Sequence, residues 1–306
     1  MAIFEETRKY VQKLGLPGGD ADTLPASTKT FPDGALYRLE VPTVNSAACL
    51  KSLLETATKL GITINRVDET YGGFRHTLQE LREYAKIAAE YKVELNISIG
   101  PRATYDTSAT RLSQQGVRIG YRLRGMEQVL RAVEDAKRIL EVGIRGLLIY
   151  DEGLLWLLNN MRKDGLIPIN THFKLSAHCG HGNPASFKVL EMLGADTINP
   201  VRDMTLPMVG ALRQAVNVPL DIHTDNPPAS GGFIRVYEAP EIVRVGSPVY
   251  LKAGNSVIGA HGEMTSASDG VNLAHQVAIV KEMMTRYFPE AKQSAAGTID
   301  QSVPEI

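Results

Sequence analysis

The chain has only two cysteines in 306 residues, Cys49 and Cys179, and they lie far apart. That excludes a disulfide framework and the several thiolates of a cysteine-only zinc or iron–sulfur site, so no iron–sulfur cluster is expected. Long apolar runs are also missing, so nothing in the chain has the length of a membrane span. The opening MAIFEETRKYVQKLGLPGG carries Glu5, Glu6, Arg8, Lys9 and Lys13 where a signal peptide needs an apolar core, and a cytoplasmic location is expected. Nor is there an excess of either charge: 33 basic and 34 acidic residues give a net charge of −1. Neither nucleic acid nor an anionic membrane is therefore an expected partner, and a small molecule is.

What is present is a regular alternation of strand-like and helix-like segments, in a chain that is 43% hydrophobic and 22% charged, ordinary for a large-cored globular protein. Short apolar runs begin near residues 37, 62, 93, 147, 172, 196, 219 and 248, each followed by a helical pattern or an excursion. Such alternation calls for a parallel sheet, and eight units call for a closed barrel. The rival, a doubly wound dinucleotide-binding sheet, needs a glycine-rich first turn, where this chain reads EVPTVNS. The expected fold is a TIM-type (β/α)8 barrel with an N-terminal helical arm and a β-hairpin excursion after strand 3, in the polar stretch from Arg102 through VRIGYRLRG. Its expected layout is an arm over 1–35, the barrel over 36–290 and a polar, frayed tail over 291–306. The amphipathic first helix and the last helix offer surfaces for a homo-oligomer contact.

In such barrels the carboxyl ends of the strands converge on one mouth, so polar residues there are functional candidates. The stretch VPLDIHTDNPPASGG, from Val218, reads as a strand that ends in His223, Asp225 and Asn226. The stretch SAHCGHGNP places His178 and His181 around Cys179 at another strand end, and YDEG places Asp151 and Glu152 at a third. Imidazole carries protons near neutral pH and binds divalent metals, so His178, His223, Asp225 and Glu152 form a candidate ligand set. Glu152, His178, His223 and Lys252 are the candidate acid–base groups, crowding of Asp151 against Glu152 being a way to raise a carboxyl pKa. Lys252 also reads as an ion-pair partner for nearby carboxylates. Glu40, Arg102, Asn199, Arg202, Asn226 and Asn255 are candidate substrate contacts. Gly231 and Gly232 after strand seven, and Gly254 after strand eight, stand where barrels hold phosphate on backbone N–H groups. The same glycines also suit plain tight turns.

The run ADTINPVRDMTLPMVGALRQAVNVPLDIHTDNPPASGGF, with GIRGLLIYDEG and PVYLKAG, resembles U32-family peptidase-like barrel proteins over about residues 36 to 260. The resemblance implies a barrel fold and a peptidase activity. Better-known members carry a cysteine signature and, in several branches, a cluster-binding cysteine set; HCGHGNP departs from both, as a divergent branch would. A looser likeness is to metal-dependent carboxyltransferase and aldolase-like barrels with a metal-binding H-x-H on strand seven, where this chain has His223 and Asp225 and lacks the Arg-Asp-Gly pattern in strand one. The first functional expectation is an enzyme acting on a small polar anion, carboxylate or phosphate, by metal-assisted or carboxylate/His acid–base chemistry of isomerase, epimerase or lyase type. A U32-like peptidase or amidohydrolase, with Cys179 as its candidate thiol, and a noncatalytic ligand-binding barrel are the alternatives.

Overall fold

Most strands of this chain carry charged residues among apolar ones, so one face can pack under helices only if the other turns its charges inward together. The structure, a computed structural model describing residues 4–20, 23–102 and 120–306, solves this by closing eight parallel strands in sequence order. They are β1 (Tyr37–Val41), β2 (Arg66–Glu69), β3 (Glu94–Ser98), β4 (Gly146–Ile149), β5 (His172–Leu175), β6 (Thr197–Ile198), β7 (Leu220–His223) and β8 (Val249–Lys252). The barrel closes through the β1–β8 register, which sets Glu40 opposite Lys252. Its helices among the described residues are α1 (Glu5–Lys13), α2 (Ala47–Lys59), α3 (Leu78–Glu90), α4 (Gly125–Glu141), α5 (Glu152–Lys163), α6 (Pro184–Leu193), α7 (Leu206–Ala215), α8 (Ala239–Gly246) and α9 (Ala267–Tyr287). This is the expected TIM-type barrel with its N-terminal helical arm. The expected hairpin excursion falls mainly on residues 103–119 and lies outside the described residues.

Leu39, Val41, Val67, Leu95, Ile97, Leu147 and Ile149 face outward into the main hydrophobic core. Helices α2, α3 and α9 start where side-chain oxygens meet the free N–H groups of their first turns: Ser46 caps α2, and Thr77 and Ser266 form capping boxes with Glu80 and Asp269. The alternate strand residues point to the barrel axis, which is ordinarily filled by aliphatic layers. Here it is filled by ions. Arg66 donates to Glu40 and Asp221, and Lys174 meets Glu40, Asp68 at 2.9 Å and Asp221 at 3.3 Å. Lys252 shares the same two carboxylates, Asp68 and, at 2.6 Å, Glu40.

The amino-terminal end of the barrel is sealed by the chain's last residues, expected to be frayed. Arg38 donates to Ser294 and Thr298, both at 2.9 Å, and to Asp300, while its guanidinium stacks on Phe31 at 4.0 Å. Glu94 accepts from Tyr250 at 2.9 Å and from Ser302 at 3.0 Å. The buried charges Arg38 and Glu94 need these partners, so the tail packs rather than frays.

Removing one member of a buried ion cluster leaves its partners uncompensated, which destabilises by about 3–5 kcal/mol, whereas removing both can be nearly neutral. Arg66→Met is accordingly expected to lower the stability of the folded chain by that amount in urea denaturation, and Arg66→Met/Asp221→Leu to recover part of the loss. A single-variant loss below about 1 kcal/mol would show that the cluster is not a unit.

Candidate functional site

Four strand ends and one loop bring the chemistry together at the carboxyl mouth. After β5, Ser176 Oγ accepts from His178 N–H at 3.2 Å and starts a single turn, Ala177–Cys179, which Gly180 ends at a φ of 83°. That turn aims His178 inward. Beyond β6 the chain supplies Asn199, whose amide donates to Asp221 O at 2.6 Å, and then Arg202. β7 ends in His223 and β8 in Lys252, neighbours in register. Asn255 follows β8, and the loop after it returns His261. His178, Arg202, His223, Lys252, Asn255 and His261 line one cavity, enclosed so tightly that the free space is about 10 Å³, roughly one water.

Larger cavities of about 300 and 310 Å³ lie elsewhere. The first is bordered mainly by Leu54, Ala57, Ile62 and Ile64. The second lies at the sealed end beside Arg38 and Tyr250. Chemistry rather than volume favours the mouth, because there unpartnered buried polar atoms gather. Among the described residues, Arg202 Nε, His223 Nδ1 and His261 Nε2 have no hydrogen-bond partner, and neither does the Asn226 amide nitrogen just behind Asn255. Buried groups of this kind are normally satisfied, and exceptions call for an explanation.

The mouth's electrostatics assign its groups to different roles. Arg202 donates to His178 Nε2 at 2.8 Å, and since a guanidinium cannot accept, that nitrogen is unprotonated. Burial first, then the nearby Arg202, hold the His178 pKa well below the usual histidine range. Burial likewise lowers His223, assisted by Lys252, and His261, assisted by His178. The His178 ring lies 4.3 Å from that of His261 and 4.2 Å from Tyr121. Burial would neutralise Lys252 too, but Asp68 and Glu40 outweigh it and raise its pKa above that of a free lysine. The mouth thus holds neutral imidazoles beside fixed cations.

Several expected site residues are used otherwise. Glu40 sits fully buried among Arg66, Lys174 and Lys252, which hold its pKa well below the carboxylate range against the effect of burial, and it does not line the cavity. Glu152 binds Arg122 and His181 outside the cavity; burial raises its pKa, but these hydrogen bonds prevail and bring it to about 2, the opposite of the shift expected from crowding. Asp151 caps α5 through Leu154 N–H at 3.1 Å. Asp225 binds backbone N–H groups. The expected metal set of His178, His223, Asp225 and Glu152 therefore does not assemble, and among the described residues no three His, Cys, Asp or Glu side chains form a metal site. Gly231 and Gly232 are exposed and lie away from the cavity. Arg102 is buried beside the mouth, donating to Ser98 Oγ at 2.9 Å and stacking 4.6 Å from Tyr150. Cys179 is buried, its thiol pKa raised by burial, so it is poorly suited to nucleophilic catalysis.

His261 was not recoverable from GAHGEM, which has no strand or helix pattern to position it. Lys174, Asp221 and Arg66 did leave a signal: each is a charge flanked by an apolar residue at the inward phase of its strand.

No family model matches the chain, and no curated protein matches it in sequence. Among solved structures it is similar to the U32 peptidase Mk0906, at 15% identity and a TM-score of 0.42 over 65% of this chain and 73% of that one. It is also similar to a Rubisco-like protein from Rhodopseudomonas palustris, at 11% identity and a TM-score of 0.51, covering 83% of this chain and 65% of that chain's length. A phospho-2-dehydro-3-deoxyheptonate aldolase from Thermotoga maritima gives 12% identity and a TM-score of 0.49 over 89% and 80%. The shared property is the barrel fold.

The lowered histidines make stability depend on pH with a definite sign. Below about pH 6.5 the unfolded chain protonates imidazoles that the folded chain keeps neutral, so stability falls as pH falls. With His178, His223 and His261 all contributing, the slope is at most about 4 kcal/mol per pH unit between their unfolded and folded pKa values. Urea denaturation from pH 7.5 to 5 should show this slope, reduced by about one third in His223→Gln; a flat profile would contradict the placement of neutral histidines.

Proposed function

We propose that this barrel is an enzyme acting on a small anionic substrate by acid–base chemistry of its own side chains, of the isomerase, epimerase or lyase kind. The observation behind this reading is the convergence, in one cavity, of two unpartnered imidazole nitrogens on His223 and His261 with the unpartnered Nε–H of Arg202. Arg202 receives the anionic group, because a guanidinium with no carboxylate partner among the described residues is the mouth's natural anion receptor. His223 or His261, neutral at pH 7, takes a proton from the carbon next to that group. The Lys252 ammonium, held in place by Asp68 and Glu40, faces the negative charge that then develops on oxygen. His178 orients Arg202 through its Nε2 acceptor. Any substrate larger than water requires the loop bearing His261 to move aside, and its return excludes solvent from the reaction.

A peptidase would need a groove for an extended chain and an activated nucleophile, and neither the enclosed mouth nor buried Cys179 favours that reading. A noncatalytic binding barrel would share the anion site and differ in turnover. The distinction is measurable by proton NMR as exchange of the C2 proton for deuterium in a panel of 2-hydroxy carboxylates in D2O. At least one should exchange with the wild-type chain. His223→Gln is expected to slow that exchange by roughly 10²–10⁴, and Arg202→Met to weaken half-saturation by about 10–100-fold. Binding without exchange across the panel would replace the enzyme reading with the binding barrel.

A further inference from the structure

We infer that the anionic group recognised at this mouth is a carboxylate and that phosphorylated substrates are excluded, with Asp225 as the residue that sets this preference. The inference rests on the anion-binding reading above and concerns a different set of atoms. In barrels of this kind, phosphate is commonly received by backbone N–H groups in the turns after strands seven and eight. This chain has both turns, and in neither are the relevant N–H groups available. After β8, Gly254 adopts a φ of 106° and opens a cradle of backbone donors. The Asp225 carboxylate fills it, accepting from Gly254 N–H at 2.9 Å and from Ser256 N–H at 2.7 Å. After β7, the Gly231 and Gly232 N–H groups donate within their own turn, to Pro228 O at 3.3 Å and Pro227 O at 3.0 Å.

Asp225 therefore occupies the place of a phosphate with a charge of the same sign. It is fully buried, and among the described residues no cation lies within ion-pair distance of it. The two residues it binds flank Asn255, so its charge stands directly behind that part of the cavity wall. A phosphate dianion in the cavity would face this carboxylate with no backbone cradle to hold it. A carboxylate asks less: a planar monoanion matches the Nε–H edge of Arg202 on the β6 side of the mouth, away from Asp225.

The test measures binding of matched pairs to the full chain by calorimetry: pyruvate against phosphoenolpyruvate, glycerate against 3-phosphoglycerate, and malonate against inorganic phosphate. The expected result is that the unphosphorylated member of at least one pair binds about tenfold or more tightly than its twin, with that binding lost in Arg202→Met. In Asp225→Ala, checked for an intact melting transition, the ratio should shrink by about tenfold. A phosphorylated twin that binds as tightly as its partner, and is lost in Arg202→Met, overturns the carboxylate preference while leaving the anion site standing. An unchanged ratio in folded Asp225→Ala also overturns it. Binding that survives Arg202→Met, or no binding by any member, overturns the underlying site reading and this inference with it. Should Asp225→Ala fail to fold, the wild-type pairs still decide.

Discussion

Two carboxylates, Glu40 and Asp68, are each shared between the ammonium groups of Lys174 and Lys252, and the barrel depends on that sharing. Within the cluster, Arg66, Lys174 and Lys252 balance Glu40, Asp68 and Asp221, so the interior is dense in charge and neutral in sum. An isolated ion at this depth would be severely destabilising, and one in a closed network is tolerated. The arrangement also specifies the fold. Side chains alternate along a strand, so slipping β2 or β8 by one residue would thrust Arg66 or Lys252 into the aliphatic layer beneath the helices. The charges thereby act as register pins, at some expense to stability relative to an aliphatic filling.

The same network fixes the chemistry available at the mouth. An amine that forms a Schiff base must give up its proton, and Lys252 is held protonated by its two carboxylates. Lysine is then the stationary cation. In the proposed reaction the proton-carrying role passes to imidazole, because burial next to Lys252 and Arg202 keeps His223 neutral. Lys174 is shifted the other way, lowered by burial and Arg66, but it does not line the cavity and, among the described residues, its ammonium meets only carboxylates. Two buried lysines in one barrel therefore differ in role through position alone.

The fold was legible because strand and helix periods survive in the sequence: the helical pattern over Pro184–Leu193 coincides with α6, and the patterns over Leu154–Lys163 and Leu206–Val216 match α5 and α7 to within two residues at each end. At α9 the apolar pattern starts only at about Val271, four residues after the helix does, because Ser266 and Asp269 form a capping box that the pattern does not reveal. In the site, the strand-end residues His178, Arg202, His223, Lys252 and Asn255 line one cavity. What position could not tell is which way a polar side chain turns. Glu152 and Asp225 stand at strand ends as well, yet Glu152 binds Arg122 and His181 while Asp225 binds backbone N–H groups, and those partners come from segments remote in sequence. His261 is recruited by a loop, and only the folded loop shows it stacking on His178.

Asp225 gives the mouth a direction. On the β5–β6 side stand Arg202 and His178, a cation and the neutral acceptor that orients it; on the β7–β8 side stands a buried carboxylate behind Asn255. A small anion entering this field turns its charge toward Arg202 and its remaining atoms toward β7 and β8. That orientation presents the carbon next to the anionic group to the region of His223 and Lys252, a base and a cation adjacent in register. A carboxylate whose oxygens are bound to backbone would thus determine, in the proposed reaction, which end of the substrate reacts.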